Sequence, residues 1–229
     1  MSDLNAFLTG TGLIISLAVF TIGLIARLVW YFNNLDWKLE RVAYKPHMSQ
    51  GMRGGLYSIF RWLLPFGTYA WRQQPFMGAV FFLFHLGAIL VPLFLLGHAE
   101  VLRNAIGISL PAMPQVMADV LTVGTIVAAI FILARRLALP EVRFITKPAD
   151  YVALALAVVP FVSGFAARMH VGGYETWMLV HLISGHCFLL LAPFTKLSHI
   201  AMYFGTRWQI GADFAIKRGG MTRGAFFPW

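Results

Sequence analysis

Five apolar runs, each near the roughly 20 residues that a helix needs to cross a bilayer, alternate with polar stretches along this chain. They predict membrane-spanning helices over residues 7–31, 76–97, 116–134, 151–167 and 174–204. Residues 33–75 are too polar to cross. Their later half, LYSIFRWLLPFGTYAWRQQPF, mixes apolar and aromatic residues with spaced arginines. That pattern predicts a segment lying along one membrane face, interrupted at Pro65 and Gly67, and it also suits docking of a soluble partner. A loop rich in Gly and Pro is expected over 98–115. A basic loop follows the third span, a Gly172–Gly173 turn follows the fourth, and a polar tail covers 205–229.

Composition turns this pattern into a class. Of the 229 residues, 59% are hydrophobic and 12% charged, and the mean hydropathy is +0.73. A soluble domain of this length lacks the polar surface to cover itself at that composition. The expectation is an all-α integral membrane protein, a bundle of five transmembrane helices forming one domain. The net charge of +9 is an orientation signal rather than a nucleic-acid signal. Fourteen of the eighteen Lys and Arg residues fall in the segments after spans one, three and five. Arg103 and Arg168 fall on the opposite side, and Arg27 and Lys196 near span ends. The positive-inside rule then predicts a periplasmic N-terminus and a cytoplasmic C-terminus. The opening MSDLNAFL lacks the basic segment of a signal peptide, and the first run is long enough to stay in the membrane. The lone cysteine, Cys187, gives no disulfide, iron–sulfur or zinc spacing and reads as a small buried hydrophobe. Neither G-x-G-x-x-G nor G-x-x-x-x-G-K-[ST] occurs, so nucleotide binding has no support.

Candidate chemistry resides in the histidines. His47 lies in the polar segment and His170 at the outer turn, where solvent or a partner satisfies them. His85 and His98 lie on span two, and His181, His186 and His199 on span five. Ionisable groups in hydrocarbon are costly and mark functional sites. In one continuous helix, the eighteen residues from His181 to His199 make five turns, placing both on one face about 27 Å apart. Spans two and five run antiparallel, so His85 pairs in depth with His199, and His98 with His181. Two bis-histidine sites, one near each face, follow. They suit haem iron with both axial positions filled. Zinc or non-haem iron would draw in carboxylates or cysteines, and none stands beside these histidines. A lone membrane histidine bonding across helices is the bland alternative, and two depth-matched pairs argue against it. One strain is visible. His85 and His98 are thirteen residues apart, about 20 Å along a helix and about 140° off one face, so Pro92 is expected to bend span two between them. His186 rivals His181 for the outer site: periodicity favours His181, and depth favours His186.

The residues FHLG at 84–87, GH at 97–98 and HLxxG followed by PFTKLSH over 181–199 resemble the membrane cytochrome b family typified by the gamma subunit of respiratory nitrate reductase. The resemblance is specific for the last span and fair for the second; the other spans match in topology and length. It implies two haem b groups, with His85 and His199 on the inner one and His98 and His181 on the outer. It also implies a basic residue, Lys196, facing a haem propionate, where snorkelling to headgroups is the competing role. The chain departs from the nitrate reductase pattern in two places. The span-two histidines are spaced thirteen residues apart instead of ten, and the outer loop offers Glu100 and Arg103 in place of a quinol-binding lysine. Length and the long basic segment resemble most the branch found in sulfate-reducer complexes built on a high-molecular-mass cytochrome c. Partners there are a multihaem cytochrome c, an iron–sulfur protein and a second integral membrane subunit.

The expected function is electron transfer across the bacterial cytoplasmic membrane, between periplasmic cytochrome c or menaquinol and cytoplasmic iron–sulfur partners. His98, Glu100 and Arg103 are the candidate quinone-site groups. The first alternative is a membrane anchor with little or no haem that docks redox partners. A proton-coupled transporter would carry acidic residues within its spans, and Asp119 comes nearest to that description.

Overall fold

The computed structural model describes residues 2–35 and 48–217, and the described residues are helical with no strand. The helices in order are α1 (Ser2–Thr9), α2 (Thr11–Asn33), α3 (Met48–Leu63), α4 (Tyr69–Gln73), α5 (Pro75–Phe94) and α6 (Leu96–Ile106). They continue with α7 (Gln115–Ala138), α8 (Pro140–Ile145), α9 (Pro148–Arg168), α10 (Tyr174–Leu191) and α11 (His199–Lys217). Five stretches are long and apolar enough to cross a membrane: Asp3–Asn33, Pro75–Phe94, Gln115–Ala138, Pro148–Arg168 and Tyr174–Phe194. Each buries only 11–33% of its residues within the protein. Side chains such as Ile22 (66% exposed) and Val116 (75%) therefore face outward, as lipid contact requires.

The residues divide into two compact units, Met1–Ile22 with Val80–Leu197, and Gly23–Ala79 with Ser198–Trp229. In the first unit, α7 buries Ala118, Leu121, Thr122, Thr125, Ala128, Ala129 and Ile132, one stripe at helical spacing. Small residues let helix backbones come close where lipid gives no hydrophobic drive for association. Gly87 on α5 shows this: a Cβ there would run into Thr125. The Thr125 hydroxyl is satisfied by donating to the Leu121 carbonyl at 2.7 Å. α9 packs against both α7 and α10.

In the second unit, α3 packs along α11. Its contact face is Gly51, Gly54, Gly55 and Ser58, all buried. A Cβ on Gly54 would stand 2.5 Å from the Gly211 carbonyl oxygen and 2.5 Å from the Ala215 methyl, so only glycine fits. The Tyr203 hydroxyl donates to the Ile59 carbonyl at 2.8 Å, and the Arg207 guanidinium lies 4.5 Å from the Trp62 ring centroid. Parts of the expected membrane-face segment and of the expected polar tail thus form a packed helix pair. His47, Lys38 and Arg218 lie outside the described residues.

Two expectations for the spans are corrected. Span two does not continue to Gly97. It stops at Phe94, Leu95 turns extended (φ −67°, ψ 132°), and α6 begins as a separate helix where a Gly- and Pro-rich loop was expected. Pro92 sits inside α5 and removes one donor from its last turns. Span five is also not one helix. α10 ends at Leu191, two 3-10 turns cover Ala192–Phe194 and Lys196–Ser198, and Thr195 between them is extended (φ −115°, ψ −174°). Pro193 has no N–H to continue the α-helix. His181 and His199 therefore do not share a helix face, and the five-turn register between them does not exist.

Candidate functional site

The break at Leu95 redirects the chain just before His98, the third residue of α6. From there its imidazole meets that of His181 on α10. The two Nε2 atoms are 3.5 Å apart. The ring planes are parallel to within 3°, with centroids 5.7 Å apart. Each Nδ1 faces a backbone carbonyl: His181 Nδ1 lies 2.8 Å from Pro160 O on α9, and His98 Nδ1 lies 3.4 Å from Val91 O on α5. A carbonyl only accepts, so each Nδ1 carries the proton and each Nε2 keeps its lone pair. Two lone pairs thus point at each other across 3.5 Å.

That arrangement fits an axial metal site. Ligating histidines almost always donate their other N–H to a carbonyl or carboxylate, which fixes the tautomer and raises ligand basicity. A metal–imidazole bond of about 2.0–2.1 Å on each side needs only a slight opening of the gap. Burial pushes the His98 pKa below the usual histidine value, and neighbouring His181 lowers it further. Among the described residues, no three His, Cys, Asp or Glu side chains converge as a metal cluster. His98 and His181 are the two nitrogen donors that meet there.

His181 and His186 differ in their partners. His186 Nε2 lies 2.9 Å from the Leu8 carbonyl, so it donates there. Its Nδ1 accepts from the Ser16 hydroxyl at 2.7 Å. The Leu8 carbonyl belongs to the last turn of α1, where helix acceptors lack intrahelical partners. Both ring nitrogens of His186 are used in tying α10 to the N-terminal helices.

His85 is exposed on α5, and its Nδ1 lies 2.7 Å from Phe81 O, its own preceding turn. The same tautomer logic leaves Nε2 as its lone-pair atom, directed away from the backbone bond. His199 is exposed at the first position of α11. His85 belongs to the first unit and His199 to the second. Lys196 is engaged by a carboxylate: its ammonium donates to Asp150 Oδ1 at 2.6 Å. Asp150 also accepts from the Lys147 backbone N–H at 2.8 Å, capping α9. Glu100 and Arg103 are exposed on α6, the helix that carries His98. His170, with φ 53°, stands at the turn before α10, its ring 5.5 Å from that of Tyr174. Sequence reasoning missed Ser16, Pro160 and Gly164 as parts of the histidine environment. Each acts through a partner more than fifteen residues away, and no local pattern signals that.

No family model matches this chain. It is 57% identical over 224 residues to a protein of Nitratidesulfovibrio vulgaris strain Hildenborough, named only "Protein". The match covers 98% of this chain and 99% of the relative. The chain belongs to the family of that protein.

Proposed function

We propose that this chain is a dihaem b membrane subunit of a respiratory redox complex, in the manner of the nitrate reductase gamma subunit and its sulfate-reducer relatives. The observation that carries the proposal is the His98–His181 pair, with its opposed Nε2 lone pairs and carbonyl-held Nδ1 atoms. Haem b, when bound, supplies reversible one-electron chemistry at its iron. His98 and His181 would hold the outer group through their opposed Nε2 atoms. Val91 and Pro160 orient the two rings through their carbonyls. The resemblance implies His85 and His199 as the ligands of an inner haem. The protein's contribution to each potential would be ligation, hydrogen bonding and local dielectric.

The charge distribution supports an orientation with the N-terminus periplasmic and the basic segments cytoplasmic. Electrons then pass between a periplasmic multihaem cytochrome c or menaquinol and a cytoplasmic iron–sulfur partner, beside a second integral membrane subunit. A quinone site is proposed next to His98, with Glu100 and Arg103 of α6 as the proton-handling groups. A pyridine haemochrome assay on the purified subunit, corrected for haem c, tests the proposal. Two haem b per chain are expected, and one each in His181→Ala and His199→Ala. Retention of both haems in either variant overturns that ligand. No haem in the unaltered protein overturns the proposal and leaves a membrane anchor.

A further inference from the structure

Gly164 on α9 lies directly against the ring of His181. A Cβ on Gly164 would stand 2.9 Å from both Cε1 and Nδ1 of that imidazole, closer than side-chain carbons approach. One turn earlier, the same helix offers the Pro160 carbonyl that accepts His181 Nδ1–H at 2.8 Å. The ring is held between a fixed acceptor and a missing side chain. In that position its plane lies within 3° of the plane of His98. We infer that Gly164 is a positioning residue. It sets the plane of His181 parallel to that of His98, and with it the electronic asymmetry of the iron they would share. The inference rests on the proposed role of these two histidines as haem ligands.

The chemistry follows from orbital overlap. An axial imidazole interacts with iron through the π orbital perpendicular to its ring. Two parallel rings act on the same member of the dxz, dyz pair and separate the two in energy. Two crossed rings act on one member each and leave them nearly degenerate. Oxidised low-spin iron reports the difference by electron paramagnetic resonance. Parallel rings give a rhombic spectrum, and crossed rings give one feature at a much larger g value. The Nδ1–H bond to Pro160 also strengthens His181 as a donor, which favours the ferric state and lowers the potential. A methyl group at position 164 forces the ring to turn or the helices to part. Either change weakens that bond and the parallel alignment together.

The test uses the full chain, in its native complex or purified. Haem is counted first, and the outer signal is identified as the one that disappears in His98→Ala. The outer haem of the unaltered protein is expected to give a rhombic spectrum. Gly164→Ala is expected to keep its haem, move the largest g value upward and raise the midpoint potential. Ser163→Ala removes a hydroxyl that shares the Pro160 carbonyl at 3.2 Å and adds no atom beside the ring. It is expected to leave the g values in place without raising the potential. A crossed-ring spectrum in the unaltered protein overturns the inference, and this outcome stands even if Gly164→Ala fails to fold. Haem retained in Gly164→Ala with unshifted g values overturns it too. Absence of haem from the unaltered protein overturns the proposed function itself, a distinct result visible at the counting step.

Discussion

His181 and His186 sit five residues apart on α10, in the same apolar run, and their surroundings separate them completely. His186 spends both ring nitrogens on groups that complete it: the Leu8 carbonyl takes its proton and the Ser16 hydroxyl fills its lone pair. His181 spends one nitrogen on the Pro160 carbonyl and directs the other at a second imidazole with the same tautomer. A buried histidine with both nitrogens matched is a structural tie between helices, because nothing remains to bind. One with a matched Nδ1 and an opposed lone pair on Nε2 is prepared for an electrophile. What distinguishes a ligand from a core histidine is this accounting of nitrogens, and depth or spacing along the helix does not provide it.

The largest effect that can break this comparison is on haem content. His181→Ala is expected to remove one of two haems, and His186→Ala to retain both, as read by the haemochrome count. Equal haem loss in the two variants would erase the distinction. In the second variant, the Leu8 carbonyl and Ser16 hydroxyl are left unmatched, so a loss of about 1–3 kcal/mol is expected, seen as a lower thermal midpoint in detergent. Ser16→Ala is a finer cut, since it withdraws only the donor to Nδ1. It should cost about 1 kcal/mol with haem content unchanged; a change in the outer haem spectrum would mean that His186 communicates with the site. Lys196, further along the same stretch, extends the comparison to a charge. Its partner is Asp150, and its own side chain is 57% exposed. Lys196→Met should keep both haems and cost under about 1 kcal/mol, as half-exposed ion pairs do. Loss of a haem in that variant would show that the ammonium serves a propionate despite Asp150.

The five membrane-length helices were legible from hydropathy, because a run of some 20 apolar residues has few other stable uses. Their ends fell within a few residues of expectation except on spans two and five. There Leu95 and the stretch from Ala192 to Ser198 interrupt the helix while remaining apolar enough to hide in a hydropathy window. Pro193, which has no N–H, follows closely on the end of α10. The pairing of α3 with α11 was invisible in advance. Its signal is a Gly51–Gly54–Gly55–Ser58 face on one helix meeting Gly211 and Ala215 on another, about 150 residues away.

What the chain alone determined is its solvent and its stock of chemistry. Apolar length gives five helices long and apolar enough to span a bilayer, and seven histidines supply candidate nitrogen donors. What only the tertiary structure decided is which imidazoles act together. A histidine's role depends on which acceptor its Nδ1 meets. Those acceptors, Pro160 for His181 and Leu8 for His186, are carbonyls of distant helices, brought near by close packing at small residues such as Gly164. Backbone carbonyls are the same for every residue, so no side-chain pattern marks which of them will be used.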